Sequence, residues 1–301
     1  ADDGWAYHGF DRKMGQDSGP KGLLDQFLPN KHVFAFDVEA TGLGKGSQIT
    51  QLAGIALDPQ LNPVENSLID IISKPTVELG GEAYEQMRKG GITRELISRV
   101  GVSQEEAREI ILAKLEALHN AHGQMSPMGH NVRYDLNRLE ELIGTENVNK
   151  YFDTSRVLDS MTLTRVFQGA TDTKDLKSAQ LSKVAEHLGV PLEGAHNAIS
   201  DIFATITSYR RLYNRLGGEL PMNDEALASA RGGFRSIAAP MRESIVRNAR
   251  KIGEEVATSI VKHTTKFPMG YALVGAGAIG AGYLLTRPSE RDNVPTDNGS
   301  G

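Results

Sequence analysis

Residues 32–40, HVFAFDVEA, are the segment that most narrows the folds open to this chain. The run is short, apolar and rich in β-forming residues, which is typical of a buried strand, and the glycines from Gly42 to Gly46 end it. Asp37 and Glu39 are two residues apart, so a strand places both carboxylates on one face. At close range they repel by about 1 kcal/mol in water and about 4 kcal/mol at an effective dielectric of 20. The pair therefore indicates either a divalent cation held by oxygen ligands or two exposed carboxylates at a strand end.

The rest of the first two thirds mixes strand and helix patterns. Short apolar runs bounded by turn residues predict further strands at 49–57, 67–73, 125–128 and 156–160. Helical periodicity predicts helices at 105–119, 134–144, 181–189 and 196–217, with Gly144 and Gly189 as helix ends. This order of elements favours an α/β or α+β domain that ends near residue 217.

Composition limits the chemistry and the partners. The 301 residues include no cysteine, which excludes disulfide scaffolds, thiol nucleophiles and thiolate zinc sites and leaves carboxylates, histidines and hydroxyls. The formal net charge is −5, so the chain is not a wholly basic nucleic-acid binder. Residues 1–230 alone carry −9, whereas residues 231–266 carry +5.

Two later segments add acids and a histidine. Asp135 lies in GHNVRYDLNRL near a predicted helix start, where the helix dipole favours an anion. His196 and Asp201 lie in AHNAISD, just before and just inside the last predicted helix. Taken singly, Asp135 is equally consistent with an ordinary N-terminal helix residue, and His196 with a structural histidine.

Together the segments FDVEATG, GHNVRYD and HNAISD, in this order, resemble the three exonuclease motifs of the DEDD family, in its DnaQ-like group. The resemblance spans roughly residues 31–216 and includes ITQLAGIAL (49–57) and GGITREL (90–96). The spacing from His196 to Asp201 indicates the histidine type, because the tyrosine type would have Tyr at Asn197. Ala40 departs from the threonine found in many members, with little consequence expected.

The resemblance implies a ribonuclease H-like fold, a mixed five-stranded sheet flanked by helices, and hydrolysis from the 3′ end that releases nucleoside monophosphates. It implies two divalent cations, Mg²⁺ or Mn²⁺, one held by Asp37, Glu39 and Asp201 and the other by Asp37 and Asp135. His196 would take the proton from the attacking water, since an unperturbed imidazole titrates near pH 6.5.

The resemblance also points to residues that would contact the substrate. The backbone at Ala40 and Thr41 would meet the terminal 3′ hydroxyl, and Leu43 would stack on the terminal base. Asn131 is a further substrate-site candidate that, with His130, is expected to act through its neighbours or to be structural. The acidic domain has little electrostatic hold on long duplexes, so single-stranded DNA or RNA 3′ ends are the expected partners. The choice between DNA and RNA stays open.

The two ends of the chain have their own compositions. Residues 1–30 are predicted to form a polar arm without a secretory signal, residues 218–235 a linker and residues 287–301 a disordered tail. Residues 236–266 are predicted to form a basic amphipathic helix, because its apolar positions repeat in 11-residue steps at Met241, Ile245, Ala249, Ile252, Val256 and Ile260.

Residues 267–286 contain no charge and would span about 30 Å as a helix, the thickness of a bilayer core. Their many glycines and alanines equally fit a helix that packs closely on another helix. Segment 241–286 is therefore expected either to enter a membrane or to self-associate within a larger assembly. The alternative to an enzyme is a virion or membrane-associated structural protein that keeps the nuclease fold as a scaffold. The expected location is cytoplasmic, with membrane tethering or virion packaging through this segment.

Overall fold

The computed structural model describes residues 24, 27–28, 30–79, 81–171, 175–192, 196–223, 225, 227–232 and 242–243. Five strands form one sheet: β1 (Val33–Ala40), β2 (Ile49–Leu57), β3 (Ile69–Ile72), β4 (Ser126–Gly129) and β5 (Leu158–Asp159). Their order is β3-β2-β1-β4-β5. β1, β2 and β3 pair antiparallel, whereas β4 and β5 extend the sheet in parallel from β1. The predicted mixed five-stranded sheet is confirmed.

The helices follow in chain order: α1 (Gly81–Lys89), α2 (Arg94–Val100), α3 (Gln104–His122), α4 (Val132–Ile143), α5 (Thr145–Tyr151), α6 (Ser160–Ala170), α7 (Leu181–Leu188) and α8 (Ala198–Arg215). The predicted ends at Gly144 and Gly189 are confirmed: the N–H groups of both glycines donate to carbonyls of the preceding turn. α3 begins one residue earlier than expected because Ser103 and Glu106 form a capping box.

Alternation along β1 places its side chains in two separate cores. Phe34, Phe36 and Val38 face a core built with α3, α4 and α5. Val33 and Ala35 face the other core, which contains the buried side of α8. Because Asp37 and Glu39 continue the second set, both carboxylates point to the α8 side of the sheet.

Two short stretches outside the predicted domain 31–217 pack on its core. Leu24 lies in the α8 core with 5% of its surface exposed, and the Tyr209 hydroxyl donates to the carbonyl of Phe27 at 2.6 Å. The polar arm predicted for 1–30 therefore has an apolar end that packs on the domain. Within the predicted linker 218–235, Leu220 and Leu227 belong to the same core and residues 227–232 are helical. The glycines at both ends of this stretch favoured a linker, but Leu220 and Leu227 anchor it to the core.

The C-terminal predictions fall almost wholly outside the described residues. Of the predicted basic helix 236–266 only residues 242–243 are described, and segments 267–286 and 287–301 lie beyond. Within the described part of the chain, no helix combines the length and apolar character that a bilayer crossing requires. Membrane insertion, self-association, virion packaging and cytoplasmic location stay predictions.

Candidate active site

The acidic cluster lies at the carboxyl end of β1, the central strand of the sheet. Asp37 pairs with Ala53 and Glu39 with Gln51 in the antiparallel ladder with β2. The register shifts directly after Glu39, where the chain leaves the sheet for the glycine-containing loop. The strand thus ends at the point where its two carboxylates emerge on the α8 face.

α8 brings the third carboxylate to this point. Asp201 lies in the first turn of α8, and carboxylate oxygens of Asp37, Glu39 and Asp201 all lie within 4.8 Å of one another. Asp201 Oδ1 is buried and has no hydrogen-bond partner within the described residues. A buried carboxylate oxygen without a donor, beside two further carboxylates, fits an oxygen-ligand site for a divalent cation.

Asp135 approaches the same strand from the opposite side of β1. It lies in the first turn of α4, is only 3% exposed, and its Oδ1 accepts a hydrogen bond from the Val38 N–H at 3.2 Å. It is not part of the three-carboxylate group. The structure therefore brings together three of the four predicted acids. The fourth, Asp135, accepts a hydrogen bond from Val38, the residue between Asp37 and Glu39.

The four carboxylates repel one another, and burial adds to that cost. Burial raises the pKa of Glu39 to about 8 and that of Asp201 to about 7, and Asp201 adds to the shift at Glu39. The pKa of Asp37 is raised well above its usual value by burial and then by Asp135, Asp201 and Glu39. The pKa of Asp135 is raised by burial as well. A cation bound among these oxygens would favour their charged forms.

His196 lies at the rim of the cluster, in the turn before α8. Its backbone is in the left-handed region at φ 65°, and the residue is exposed. Its backbone N–H donates to Asp201 Oδ2 at 3.2 Å. Burial and the nearby charge of Lys89 lower the pKa of the His196 imidazole. A lowered pKa favours the neutral imidazole, which is the form that can accept a proton.

The turn that carries His196 packs against the end of α1. Asn197 caps α8 through its side-chain oxygen, and its Nδ2 donates to the Gly90 carbonyl at 3.0 Å. A Cβ atom at Gly90 would overlap the carbonyl group of His196. Gly90 therefore sets how closely α1 and the histidine turn approach, a role that the sequence analysis did not assign.

The predicted substrate-contacting residues lie in the loop after β1. The Leu43 side chain is 85% exposed, as expected of a residue that stacks on a base. The Thr41 N–H donates to the Gln48 carbonyl at 2.9 Å, so this amide is engaged within the loop, and Ala40 is buried at the strand end. From α4, the Tyr134 hydroxyl donates to the Gly42 carbonyl and Arg138 donates to the Gly44 carbonyl. Neither support is apparent from the sequence motifs.

His130 and Asn131 connect β4 to β5 and α6. The Asn131 N–H donates to Asp159 Oδ1 at 2.9 Å, and Asn131 adopts φ 64° at the start of α4. The His130 Nδ1 lies 2.8 Å from the Ser160 hydroxyl, and burial lowers the pKa of this ring. Both residues thus hold the helix that carries Asp135.

The family model RNase_T, described as exonuclease, matches residues 34–209. The chain belongs to this exonuclease family. Its members share the DnaQ-like, ribonuclease H-like fold, hydrolyse nucleic acid and use divalent metal ions, and the acidic cluster is a candidate site for such ions.

Individual relatives are distant and longer. The PolC-type DNA polymerase III of Clostridium perfringens (strain 13 / Type A) is 24% identical over 191 residues, which are 63% of this chain and 12% of the polymerase. A solved exonuclease I structure gives a TM-score of 0.50 at 18% identity over 62% of this chain and 43% of that one. E. coli exonuclease I in complex with a dT13 oligonucleotide gives 0.49 at 18% identity over the same shares. The chain thus spans less than half the length of these proteins, and the structural likeness concerns the fold.

Proposed function

We propose that this protein is a metal-dependent 3′–5′ exonuclease that removes nucleoside monophosphates from single-stranded ends. The observation that carries the proposal is the convergence of the Asp37, Glu39 and Asp201 carboxylates within 4.8 Å, on the face of the sheet that α8 covers. Asp135 beside Val38 and His196 beside Asp201 complete the set that the sequence motifs name.

The residues divide the work by position. Asp37, Glu39 and Asp201 would hold one divalent cation, and Asp37 together with Asp135 would hold a second. Bound Mg²⁺ or Mn²⁺ would supply charge stabilisation for an in-line displacement at phosphorus. Asp201 has a second task, since its Oδ2 accepts the His196 N–H and so fixes the turn on which the base lies.

His196 serves as the general base. Partial burial of the ring and the charge of Lys89 lower its pKa, which favours the neutral form that can accept the proton of the attacking water. Its exposed position at the rim gives the proton a way to solvent.

The preference for single strands rests on charge and on the β1–β2 loop. Residues 1–230 carry −9, which weakens attraction to the phosphates of a long duplex. The exposed Leu43 offers an apolar surface to one terminal base, and such stacking contributes about 1–3 kcal/mol in single-strand binders. Polarity from the 3′ end rests on the resemblance of the three motifs to those of the DEDD exonucleases.

The test uses single-stranded DNA and RNA labelled at either end, with Mg²⁺, Mn²⁺ or EDTA. We expect metal-dependent release of labelled mononucleotide from the 3′ end first, and loss of release in Asp37→Asn. Glu116→Gln, on the exposed side of α3, is the matched control and should retain full activity. Loss of the 5′ label first, or release that persists in EDTA, would contradict the proposal.

A further inference from the structure

A buried row of polar groups connects the C-terminal segment to the start of α8. Arg242 Nη2 lies 2.7 Å from Asp70 Oδ2, with side-chain exposures of 11% and 0%. The other oxygen, Asp70 Oδ1, accepts from Gln51 Nε2 at 3.0 Å. Gln51 Oε1 in turn accepts from the Ala198 N–H at 3.2 Å. The three contacts lead from residue 242 to the first residue of α8 without a break.

The sheet register places this row beside the acidic cluster. Gln51 pairs directly with Glu39 across β1 and β2, and Asp70 pairs with Ala53, which itself pairs with Asp37. Residues opposite one another in antiparallel strands point to the same face. Gln51 and Asp70 therefore lie on the α8 face of the sheet, next to the metal-binding carboxylates.

Each member of the row depends on the next for electrostatic reasons. Asp70 is 1% exposed, and a buried carboxylate is costly unless it is both paired and hydrogen-bonded. Arg242 supplies the opposite charge, and the Gln51 amide donates to the other oxygen. This donation fixes the orientation of the Gln51 amide, because a flipped amide would turn its oxygen toward the Asp70 carboxylate.

The oriented amide then satisfies one helix N–H. The first N–H groups of a helix have no partner within the helix, and the Ala198 N–H is one of them. Ala198 comes two residues after His196 and three before Asp201, so its anchoring fixes where both side chains lie. Asn197 anchors the same turn from the α1 side through Gly90.

We propose that Arg242, Asp70 and Gln51 are positioning residues for His196 and Asp201, so that the C-terminal segment carrying Arg242 takes part in the nuclease. The inference rests on the proposed function, because it assigns His196 and Asp201 their catalytic work. It gives the segment after the domain a role in catalysis in addition to any role in localisation.

The experiment is a double-mutant cycle in the full chain with Arg242→Gln, Asp70→Asn and the pair together. Each single variant leaves a buried charge without its partner, and we expect the melting temperature to fall by roughly 5 °C or more. We expect kcat to fall about tenfold or more with KM nearly unchanged, since a small displacement of a reacting group is costly. The double variant contains no buried charge at this point and should recover most of both quantities.

Lys183→Gln with Glu186→Gln is the control cycle, because that ion pair is exposed on α7 and should show little coupling. Hydrogen exchange at the Ala198 amide provides a readout without substrate: it should speed up in each single variant and return in the double variant. Additive effects of Arg242→Gln and Asp70→Asn, or full kcat in both destabilised singles, would overturn the inference. A wild-type protein without nuclease activity would refute the proposed function, and the exchange and melting data would still decide the anchoring.

Discussion

The backbone N–H of His196 donates to Asp201 Oδ2, while Asp201 Oδ1 is buried and has no donor within the described residues. One carboxylate thus has one oxygen committed to the turn that carries the base and the other directed at the acidic cluster. Asp201 would thus bind the cation and also anchor the turn that carries the base, so its loss should disturb both functions.

Asp201→Asn should abolish metal-dependent cleavage and also stabilise the metal-free protein. The change removes a carboxyl group whose pKa is raised to about 7 by burial, so the repulsion among the remaining carboxylates falls. We expect a melting temperature above that of wild type at pH 8 without metal, and no gain on adding Mn²⁺. Differential scanning fluorimetry with and without Mn²⁺ checks this, and an undiminished Mn²⁺ response would be evidence against Asp201 as a ligand.

His196→Ala should impair the chemical step and leave the fold intact. The residue is exposed, and general-base catalysis typically contributes about 10²–10⁴-fold to the rate. We therefore expect a kcat lower by two to four orders of magnitude, with a melting temperature within about a degree of wild type. His122→Ala, far from the cluster on α3, serves as the histidine control.

The stability of the metal-free protein should fall as pH rises from about 5 to 8. The pKa of Glu39 is about 8 and that of Asp201 about 7 in the folded protein, against ordinary values of 4.5 and 3.8. Between the unfolded and the folded pKa values, the folded protein keeps protons that the unfolded chain has lost. The free energy of unfolding is therefore highest below the unfolded pKa values and falls as pH rises through the folded pKa values.

Thermal unfolding in EDTA at several pH values measures this loss. Saturating Mg²⁺ should restore the melting temperature most at pH 8, because ligands that bind only the folded state stabilise it. Asp201→Asn should show a shallower pH dependence. A melting temperature that rises from pH 5 to 8 in EDTA would show that the cluster is not strained by its charges.

Gly90→Ala should lower activity by displacing the histidine turn. The added methyl group would overlap the carbonyl of His196 and push the histidine turn away from α1. A kcat loss of about 10- to 100-fold is expected from such a displacement. Gly169→Ala in α6 is the control, because open space surrounds that position and alanine favours a helix.

Leu43→Ala should weaken binding of single-stranded substrates and leave stability unchanged. Loss of one base stack predicts a KM higher by about 5- to 100-fold with a nearly constant kcat. Met222→Ala, at another exposed apolar side chain, provides the comparison. Equal effects of Leu43→Ala and Met222→Ala on KM would contradict the stacking role of Leu43.

Local patterns in the sequence were enough to predict the sheet and the family's acids. The alternation in 32–40 placed Asp37 and Glu39 on one face, and Gly144 and Gly189 ended their helices as expected. Helices α1, α2, α5 and α6 were not predicted. The first three are only seven to nine residues long, too short to show a clear helical period, and packing against the rest of the domain stabilises them.

The support of the site could not be predicted from local patterns. Gln51 meets Ala198 across 147 residues, and Asp70 meets Arg242 across a similar separation. Only the sheet register brings these groups together. Without that register, Gln51 and Asp70 look like isolated polar residues in apolar strands. Gly90 likewise looks like an ordinary turn glycine unless its contact with His196 is known.

Anomalous diffraction from crystals grown with Mn²⁺ and a nucleoside monophosphate tests the central claim most directly. We expect an anomalous peak for Mn²⁺ between the carboxylates of Asp37, Glu39 and Asp201, with the phosphate beside it and the His196 ring turned toward the phosphate. Active crystals without a peak among these carboxylates, or with Mn²⁺ bound at another site, would contradict the assignment of this cluster as the catalytic centre.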